Sequence, residues 1–472
     1  MENEPAAPIA SDGLQYEIRY DGNGVSVIGV GICTDSEIVI PATYNGLPVT
    51  SIGSRAFFER TYIKSVEIPN SVTVIGGDSF YGCTGLSGVT IPDSVTSIED
   101  SAFAYCTGLT EIDIPDSVAS IGPYAFAHCS GLVKVSFGKG VEKVDYFAFE
   151  ECSNLSGVFI TDIAAWCKIK FRRGSTPLYY AKNLYLNGNK VTDLVIPDGV
   201  TDIGWGAFHN CESLTSVKIP DSVKSISGNT FNGCINLTNI RIPDGVVNIG
   251  ENAFYNTGYY NIASNWENGV LYIGKHLIKA DALTVKSCSV TAGTKSIADG
   301  AFYECDALVD ITIPEGVVNI GDRAFCECDA LVDITIPEGV VSIGSSSFYH
   351  CDSLKNIVIS ESVTLIKEYA FFGCGLESII IPQNVVSIGR YAFSQCYALE
   401  SITLPNSITN IQENAFNGAG SYYNAYGGRQ LLIEFQGTKA EWNAIEKEGG
   451  WDHDFNENKI TKIICRDGVI EN

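Results

Sequence analysis

The sequence predicts an α/β repeat fold: a β-rich solenoid of parallel stacked strands and short helical or 3₁₀ turns, with a 23-residue period. Three observations predict it. Ala-Phe or a close variant recurs every 23 residues, with one step of 22. Alternating apolar and polar residues follow each of these phenylalanines. Most copies also carry a cysteine three residues after the phenylalanine. The recurring phenylalanines are Phe57, Phe80, Phe103, Phe126, Phe149, Phe208, Phe231, Phe254, Phe302, Phe325, Phe348, Phe371, Phe393 and Phe416.

One copy shows how a turn is built. Residues 109–114 read Leu-Thr-Glu-Ile-Asp-Ile, and this alternation predicts a short strand with one buried face. Pro115 ends the strand because proline lacks the N–H that a sheet needs. Residues 118–121 predict a second extended stretch, and residues 125–129 predict one inward-facing helical or 3₁₀ turn. A turn this small cannot bury its apolar face alone, so the copies must stack into one continuous core.

The two ends of the chain predict caps on this array. Residues 1–13 are expected to be disordered or extended, and residues 14–40 to form a β-hairpin cap that turns at residues 21–24, Asp-Gly-Asn-Gly. The solenoid is predicted over residues 41–416, and a variant repeat with a cap over residues 417–472. Such caps would protect the open edges of the sheets.

Two irregular segments interrupt the period, at residues 160–190 and 255–290. The pattern Ala-x-Trp-x-x-Ile occurs at residues 164–169 and again at 440–445, so both stretches predict the same variant helical turn. The irregular regions also carry tyrosine pairs, in a Tyr, Asn, Ser and Gly composition that is typical of adaptable binding loops. The alternative is that they are degenerate solenoid turns with the rings packed inside. The pairs are Tyr179-Tyr180, Tyr259-Tyr260 and Tyr422-Tyr423.

The consensus V-T-x-I-G-x-x-A-F-x-x-C-x-x-L-x-x-I-x-I-P-x-S resembles the BspA-like, or Treponema-type, leucine-rich repeat over about residues 38–416. The resemblance implies a leucine-rich-repeat solenoid. It also implies a bacterial cell-surface or secreted protein that binds other proteins, often in adhesion to a host. The first residues lack the basic segment and apolar core of a signal peptide. The sequence therefore leaves open an intracellular protein or a mature region that begins at a new Met.

The charge balance disfavours two classes of partner. The chain has 472 residues, with 55 Asp and Glu against 30 Lys and Arg, and a net charge of −25. Such a surface repels phosphate backbones and anionic membranes, so we expect neither nucleic acid nor membrane insertion. No apolar run is long enough to cross a bilayer. A host or matrix protein is the expected ligand, and a glycan is the second possibility.

The cysteines predict a buried column of small apolar groups, although a disulfide ladder and a metal stack are the alternatives. Neighbouring strands lie about 4.8 Å apart, within reach of a disulfide, but parallel Cβ vectors have the wrong geometry for a bridge. The five histidines match no zinc or catalytic spacing, so we expect no catalytic residue, metal or cofactor. The column comprises Cys83, Cys106, Cys129, Cys152, Cys211, Cys234, Cys305, Cys328, Cys351, Cys374 and Cys396. Cys33, Cys167, Cys288, Cys326 and Cys465 lie outside it, and the sequence assigns them no pairing.

Acidic residues recur in the turn that follows each strand. Calcium between neighbouring carboxylates is one interpretation, and solvated turn residues bonded to the backbone are the other. Asn70, Gln383 and Asn406 fill the same position without charge, which favours solvated turns. The acidic members are Asp93, Asp116, Asp198, Asp221, Asp244, Glu315, Glu338 and Glu361.

The outward column of the strands is the expected ligand-binding face. In the predicted order, Phe159 and Val195 lie beside Lys218 and Arg241, a mixed apolar and basic patch on an acidic protein. Exposed aromatic and Arg side chains are frequent hot spots, although β propensity on a half-exposed sheet also explains the pattern. The predicted ligand-binding residues are Phe159, Val195, Lys218, Arg241, Tyr179, Tyr180, Tyr259 and Tyr260.

Two functions follow from these observations. The first is a secreted or cell-surface binding module that engages a protein through its sheet face and aromatic insertions, in adhesion of a bacterium to host or neighbouring cells. The second is a structural spacer that displays something else and has no ligand of its own. An enzyme is not expected, because the sequence shows no convergent polar pocket.

Overall fold

The repeat folds as predicted, into a β-solenoid of about 17 stacked turns with a period of roughly 23 residues. A computed structural model describes residues 10–20, 22–420, 431–453 and 461–470. Residues 1–9 of the predicted N-terminal extension and the pair Tyr422-Tyr423 lie outside the described residues. The chain forms two compact units. The first comprises Met1–Ser222, Ser227–Ile240 and Ala253–Asn261, and the second Val223–Ile226, Arg241–Asn252 and Ile262–Asn472.

The first half of the chain contains twenty strands and two short α-helices in its described residues. They are β1 (Gln15–Ile18), β2 (Val25–Gly29), β3 (Glu37–Val39), β4 (Thr43–Tyr44), β5 (Leu47–Ile52), β6 (Ser65–Glu67), β7 (Val74–Ile75), β8 (Gly88–Thr90), β9 (Ser97–Ile98), β10 (Glu111–Ile114), β11 (Ser120–Ile121), β12 (Lys134–Phe137), β13 (Lys143–Val144), β14 (Gly157–Ile160), α1 (Ile163–Lys168), β15 (Lys170–Phe171), α2 (Leu178–Ala181), β16 (Leu184–Leu186), β17 (Asn189–Lys190), β18 (Asp193–Val195), β19 (Asp202–Ile203) and β20 (Ser216–Lys218).

Each regular turn of the first unit contributes one strand to each of two parallel sheets. Sheet A has the order β1-β2-β5-β7-β9-β11-β13-β15, with β4 beside β5. The other face, called sheet B here, consists of two hydrogen-bonded parts that follow one another along the turns, β3-β6-β8 and β10-β12-β14-β16-β17. The hairpin β1–β2 makes β1 the outer strand of sheet A. Strand β3 pairs with β6, so sheet B begins inside the segment that the sequence predicts as a cap.

The segment around each Ala-Phe forms a third ladder between turns. The N–H of Phe103 donates to Ala125 O at 2.7 Å, and the N–H of Tyr105 donates to Ala127 O at 2.8 Å. Every fourth residue has positive φ, such as Ser101 at 53° and Tyr105 at 59°. This change of hand turns alternate N–H groups toward the next copy, so the segment is a run of hydrogen-bonded turns rather than a regular 3₁₀ helix.

The core is a set of stacked columns. Within the first unit, neighbouring phenylalanine rings have centroids 5.0 to 5.5 Å apart and nearly parallel planes. The cysteines lie beside these rings, and Cys106 Sγ donates to Phe80 O at 3.1 Å. All 16 cysteines are buried free thiols, which agrees with the predicted apolar column. Packing of this kind makes each turn depend on its neighbours.

The first irregular segment contains the predicted helical turn. In α1, Asp162 caps the helix by accepting a hydrogen bond from Ala165 N, and Trp166 is buried. The indole N–H of Trp166 donates to Ala207 O at 2.8 Å. After α2, strands β16 and β17 form an antiparallel hairpin that extends sheet B beyond β14.

The rest of the chain contains the remaining described strands, one 3₁₀ helix at Ala263–Asn265 and one α-helix. They are β21 (Ser225–Ile226), β22 (Asn239–Arg241), β23 (Asn248–Ile249), β24 (Trp266–Glu267), β25 (Val270–Ile273), β26 (His276–Ala280), β27 (Ser287–Ser289), β28 (Ser296–Ile297), β29 (Asp310–Thr312), β30 (Asn319–Ile320), β31 (Asp333–Ile336), β32 (Ser342–Ile343), β33 (Asn356–Ile359), β34 (Leu365–Ile366), β35 (Ser378–Ile380), β36 (Ser387–Ile388), β37 (Ser401–Leu404), β38 (Asn410–Ile411), β39 (Leu431–Phe435), α3 (Lys439–Ala444), β40 (Glu446–Lys447), β41 (Thr461–Cys465) and β42 (Gly468–Ile470).

The second unit repeats the same construction. Strands such as β27-β29-β31-β33 form one kind of parallel sheet and β32-β34-β36-β38-β40 the other. Its phenylalanine rings stack with centroids 5.1 to 5.4 Å apart. The second Ala-x-Trp-x-x-Ile pattern forms α3, where Thr438 and Glu441 make a capping box and Trp442 is buried. The prediction that both patterns form the same helical turn is confirmed.

Candidate functional site

The alternation of sheet B directs every second side chain outward. In β10, Ile112 and Ile114 are buried, whereas Glu111 and Asp113 are exposed. The parallel register places Asp113 beside Ser136 of β12. The same register continues from Ser136 to Phe159 of β14 and from Phe159 to Tyr185 of β16. An uninterrupted outward column therefore runs from β10 to β16 in sheet B of the first unit.

A wide acidic groove lies at the start of this column. It is open to solvent, has a volume of about 1230 Å³, and is lined by strands β3, β6, β8 and β10 with the turns that follow β6 and β8. Its carboxylates come from successive turns, and its lining contains no Lys or Arg. A protein surface that carries Lys and Arg is complementary to such a groove. The acidic lining residues are Glu37, Glu67, Asp93, Glu111 and Asp113.

Two aromatic rings continue the column beyond the acidic residues. Phe159 and Tyr185 stack with centroids 4.4 Å apart and planes 10° from parallel. Gly157 makes room for them, since a Cβ there would lie 2.8 Å from Phe159 Cε2 and 3.0 Å from Tyr185 Cε2. Both rings are half-buried and present apolar area beside charged groups.

Lys134 joins the acidic and aromatic parts of the column. Its Nζ lies 3.5 Å from Glu111 Oε2 and 3.8 Å from Asp113 Oδ1. The same ammonium lies 5.4 Å from the centroid of the Phe159 ring, within cation–π range. A Lys or Arg of a partner that approached Glu111 and Asp113 would therefore compete with Lys134 for these two carboxylates.

The structure brings together only some of the predicted patch residues. The strand beside Phe159 is β16, so its direct neighbour is Tyr185 and not Val195. Val195 is 58% exposed and pairs in register with exposed Lys218. Arg241 is exposed and belongs to the second unit.

The first predicted tyrosine pair, Tyr179-Tyr180, packs against neighbouring side chains of the solenoid. Tyr179 is half-exposed and meets Tyr180 edge to face at 5.1 Å and His209 at 5.4 Å. Burial lowers the pKa of His209 to about 4 and raises the pKa of Tyr180. A neutral imidazole is thus retained beside Tyr179 at physiological pH.

The second predicted pair is also half-buried. Tyr260 meets Tyr255 edge to face at 5.2 Å, and the Tyr260 N–H donates to Thr257 Oγ1 at 3.1 Å. Burial raises the pKa of Tyr259. These contacts match degenerate solenoid turns more closely than free loops, although each ring keeps an accessible part.

The column thiols have no setting that would activate them. Burial raises the pKa of Cys129 and Cys234 well above 9, and each thiol donates to a backbone carbonyl of a neighbouring turn. A thiol in this state is inert as a nucleophile. His128, next to Cys129 in sequence, stacks on Tyr105 with centroids 4.4 Å apart instead of engaging a thiol.

The turn carboxylates bond to backbone groups of neighbouring turns. Asp116 Oδ1 accepts from Lys139 N at 2.8 Å, and Glu361 Oε2 accepts from Gln383 N at 2.8 Å. Within the described ranges, no group of three or more His, Cys, Asp and Glu side chains is arranged to hold a metal ion. No helix found there is long and apolar enough to span a membrane.

Sequence reasoning missed Tyr185 and the acidic groove. The alternation Leu-Tyr-Leu at residues 184–186 could have predicted that Tyr185 points outward from a strand of sheet B. This strand does not follow the 23-residue spacing, so the repeat pattern alone does not indicate it. The acidic groove was hidden because its carboxylates occupy different strand positions, such as Glu37, Glu67 and Glu111, and converge only after stacking.

Comparison with known proteins identifies the repeat. The BspA type leucine rich repeat region matches residues 50–170, 180–284, 280–396 and 364–426, in six copies. A search of curated proteins gives no match. Among solved structures, the chain is similar to a leucine-rich repeat protein from Bacteroides ovatus, with 25% identity, a TM-score of 0.36, and coverage of 97% of this chain and 100% of that one.

Two further solved structures are similar. One is a leucine rich cell surface protein from Faecalibacterium prausnitzii, with 28% identity, a TM-score of 0.33, and coverage of 94% of this chain and 99% of that one. The other is the leucine-rich repeat protein of T. pallidum, with 26% identity, a TM-score of 0.33, and coverage of 50% and 91%. From the match of the repeat over most of its length, this chain belongs to the BspA-type leucine-rich repeat family.

Proposed function

We propose that this protein is a secreted or surface-displayed bacterial binding module, which uses sheet B of its first unit to hold a host or matrix protein in adhesion. The single observation that carries the proposal is the outward column, in which a wide acidic groove leads directly to a stacked aromatic pair. Leucine-rich repeat proteins generally mediate protein–protein interaction, and the family resemblance implies a bacterial surface location.

The chemistry of the column favours a protein over a glycan as ligand. Sugars stack on open aromatic faces, but Phe159 and Tyr185 cover one face of each other at 4.4 Å. The accessible parts of the two half-buried rings and the neighbouring carboxylates suit a partner surface with apolar side chains and Lys or Arg. The acidic groove would also speed the encounter with a basic partner through electrostatic steering.

Binding of the purified chain to an array of extracellular-matrix proteins and glycans, at moderate salt, tests this function. We expect a saturable protein hit that Phe159→Ala and Tyr185→Ala each weaken by about tenfold, as at an interface hot spot. The variants Lys218→Ala and Arg241→Ala test the two basic residues of the predicted patch on the same partner.

Tyr124→Ala is the matched control, because Tyr124 is a 40%-exposed aromatic that stacks on Phe147 in the turn segment, outside sheet B. The control should bind like the unchanged chain, and circular dichroism should show all variants folded. Equal affinity for every variant would remove sheet B from the function, and silence across the array would favour the spacer.

A further inference from the structure

The first irregular segment breaks the backbone ladder of sheet A. In regular turns the ladder continues from copy to copy, as in Asp145 N to Ile121 O at 2.9 Å and Arg172 N to Val144 O at 3.0 Å. At the next step, Gly204 N donates to Cys167 O at 2.8 Å instead of to Phe171 O. Within the described residues, no backbone N–H bonds to the Phe171 carbonyl, and β15 is the last strand of its sheet.

A groove opens at this break, between β15 and the turn that contains β19. Its volume is about 430 Å³, in the range of pockets that hold small ligands or peptide side chains. Ile169 and Phe171 lie buried at its base, and the half-buried indole of Trp205 forms part of the wall. The indole N–H of Trp205 donates to no acceptor in the part of the chain that the structure describes.

The rim of the groove is basic on a protein whose net charge is −25. Lys168, Lys170 and Arg172 line it and are exposed, whereas Asp202 is the only carboxylate of the lining. Among the described side chains, no carboxylate pairs with Lys168 or Lys170. The Arg172 guanidinium lies 6.0 Å from the Tyr146 ring, and no carboxylate of the described residues forms an ion pair with it.

We propose that this groove binds an extended acidic segment of a partner protein, at a site separate from sheet B. The segment's carboxylates pair with Lys168, Lys170 and Arg172, and one of its N–H groups donates to the free Phe171 carbonyl. An apolar side chain of the segment packs on Trp205. The charge complementarity selects an acidic ligand, and the open sheet edge with its apolar base favours a polypeptide over a sulfated glycan.

The net negative charge of the protein does not prevent this contact. At physiological ionic strength the Debye length is about 8 Å, so carboxylates farther away are largely screened. The cations at the rim act at contact distance, where they form strong charge-assisted hydrogen bonds to carboxylates. Because the rim is exposed, added salt screens these pairs, and affinity for the acidic segment is expected to fall.

The test uses the full chain and a fluorescein-labelled ten-residue peptide in which glutamate alternates with valine, measured by anisotropy at 0.15 M salt and lower. We expect saturable binding, no binding of a matched uncharged serine–valine peptide, and about tenfold weaker binding to Lys170→Glu/Arg172→Glu. Trp205→Phe, which keeps the ring but removes the indole N–H, should weaken binding less.

The control variant is Lys64→Glu/Lys286→Glu, which makes the same charge change at two exposed lysines outside the groove lining. It should bind the glutamate peptide like the unchanged chain, and all variants should keep the circular dichroism of a folded protein. Absence of saturable binding, or equal loss in both double variants, overturns the proposal. Preferential binding of a heparin-derived oligosaccharide at the same residues overturns it in favour of a polyanion site.

Discussion

At the residue scale, the cysteine column links stability to pH. The thiols of Cys129 and Cys234 donate to Phe103 O at 3.1 Å and Phe208 O at 3.0 Å, and both side chains are fully buried. Burial raises their pKa well above 9, so the folded chain keeps these protons where an unfolded chain loses them. The stabilising effect is complete below about pH 9 and is lost as pH rises further.

We expect the free energy of unfolding to fall steeply between pH 9 and 10, by about 1.4 kcal/mol per pH unit for each thiol that stays protonated in the folded state. Urea unfolding at pH 7 and pH 10 measures this. The double variant Cys129→Ala/Cys234→Ala should lose less stability between the two pH values than the unchanged chain. Val135→Ala removes buried apolar volume without removing a titrating group, so it should lower the free energy of unfolding by the same amount at pH 7 and at pH 10. If the double cysteine variant also lost the same amount at the two pH values, the prediction would be contradicted.

At the element scale, the turn segments depend on residues with left-handed backbone. Asn252 has φ of 58° and is exposed, whereas Asn248, four residues earlier, lies in extended strand β23. In the left-handed region Cβ crowds the backbone, and a β-branched side chain adds to the clash. The same substitution should therefore have opposite effects at the two sites.

Asn252→Val is expected to lower the free energy of unfolding by about 1–2 kcal/mol, while Asn252→Gly should be neutral or slightly stabilising. Asn248→Val is the matched control and should be neutral or stabilising, because valine favours extended backbone. Thermal unfolding of the three variants compares them. If valine destabilised the protein equally at both positions, the left-handed backbone conformation of Asn252 would not be the cause of the destabilisation, and the prediction would be wrong.

The sequence predicts the elements wherever the period holds. Alternation and the position of Pro115 predict β10, and the phenylalanine spacing predicts the stacked core, because each depends on a local pattern repeated at fixed distance. The neighbour of Phe159 could not be predicted in this way. Helices α1 and α2 shift the register by an amount that no period reveals, and Tyr185 reaches Phe159 only through that shift. The basic groove arises from the same shift.

At the scale of the whole molecule, stability is a sum of turns and of contacts between neighbouring turns. Residues 304–318 and 327–341 are identical, and both lie in the second unit. Phe302 stacks on Phe325 at 5.1 Å, and Phe325 on Phe348 at 5.3 Å. Removal of one full copy would leave Phe302 and Phe348 one period apart and able to form the same stack.

Deletion of residues 304–326 is expected to give a folded chain with an unchanged circular dichroism spectrum per residue and a slightly lower unfolding midpoint. Deletion of residues 304–314, about half a copy, puts the columns out of register and should abolish cooperative unfolding. Urea titrations of both chains decide the matter. A folded half-copy deletion, or an unfolded full-copy deletion, would contradict the nearest-neighbour picture.

The ladder of the turn segments has a consequence for the gene. Each regular copy offers N–H groups of its turn segment to the next copy and carbonyls to the one before, in the same spacing, so the edges of regular copies match one another. Unequal recombination between two copies in the DNA inserts or removes a whole number of codons per period, and the protein product keeps matched edges. The array can thus change length in a single genetic event, which gives a lineage a ready means of altering the reach and the contact surface of this protein.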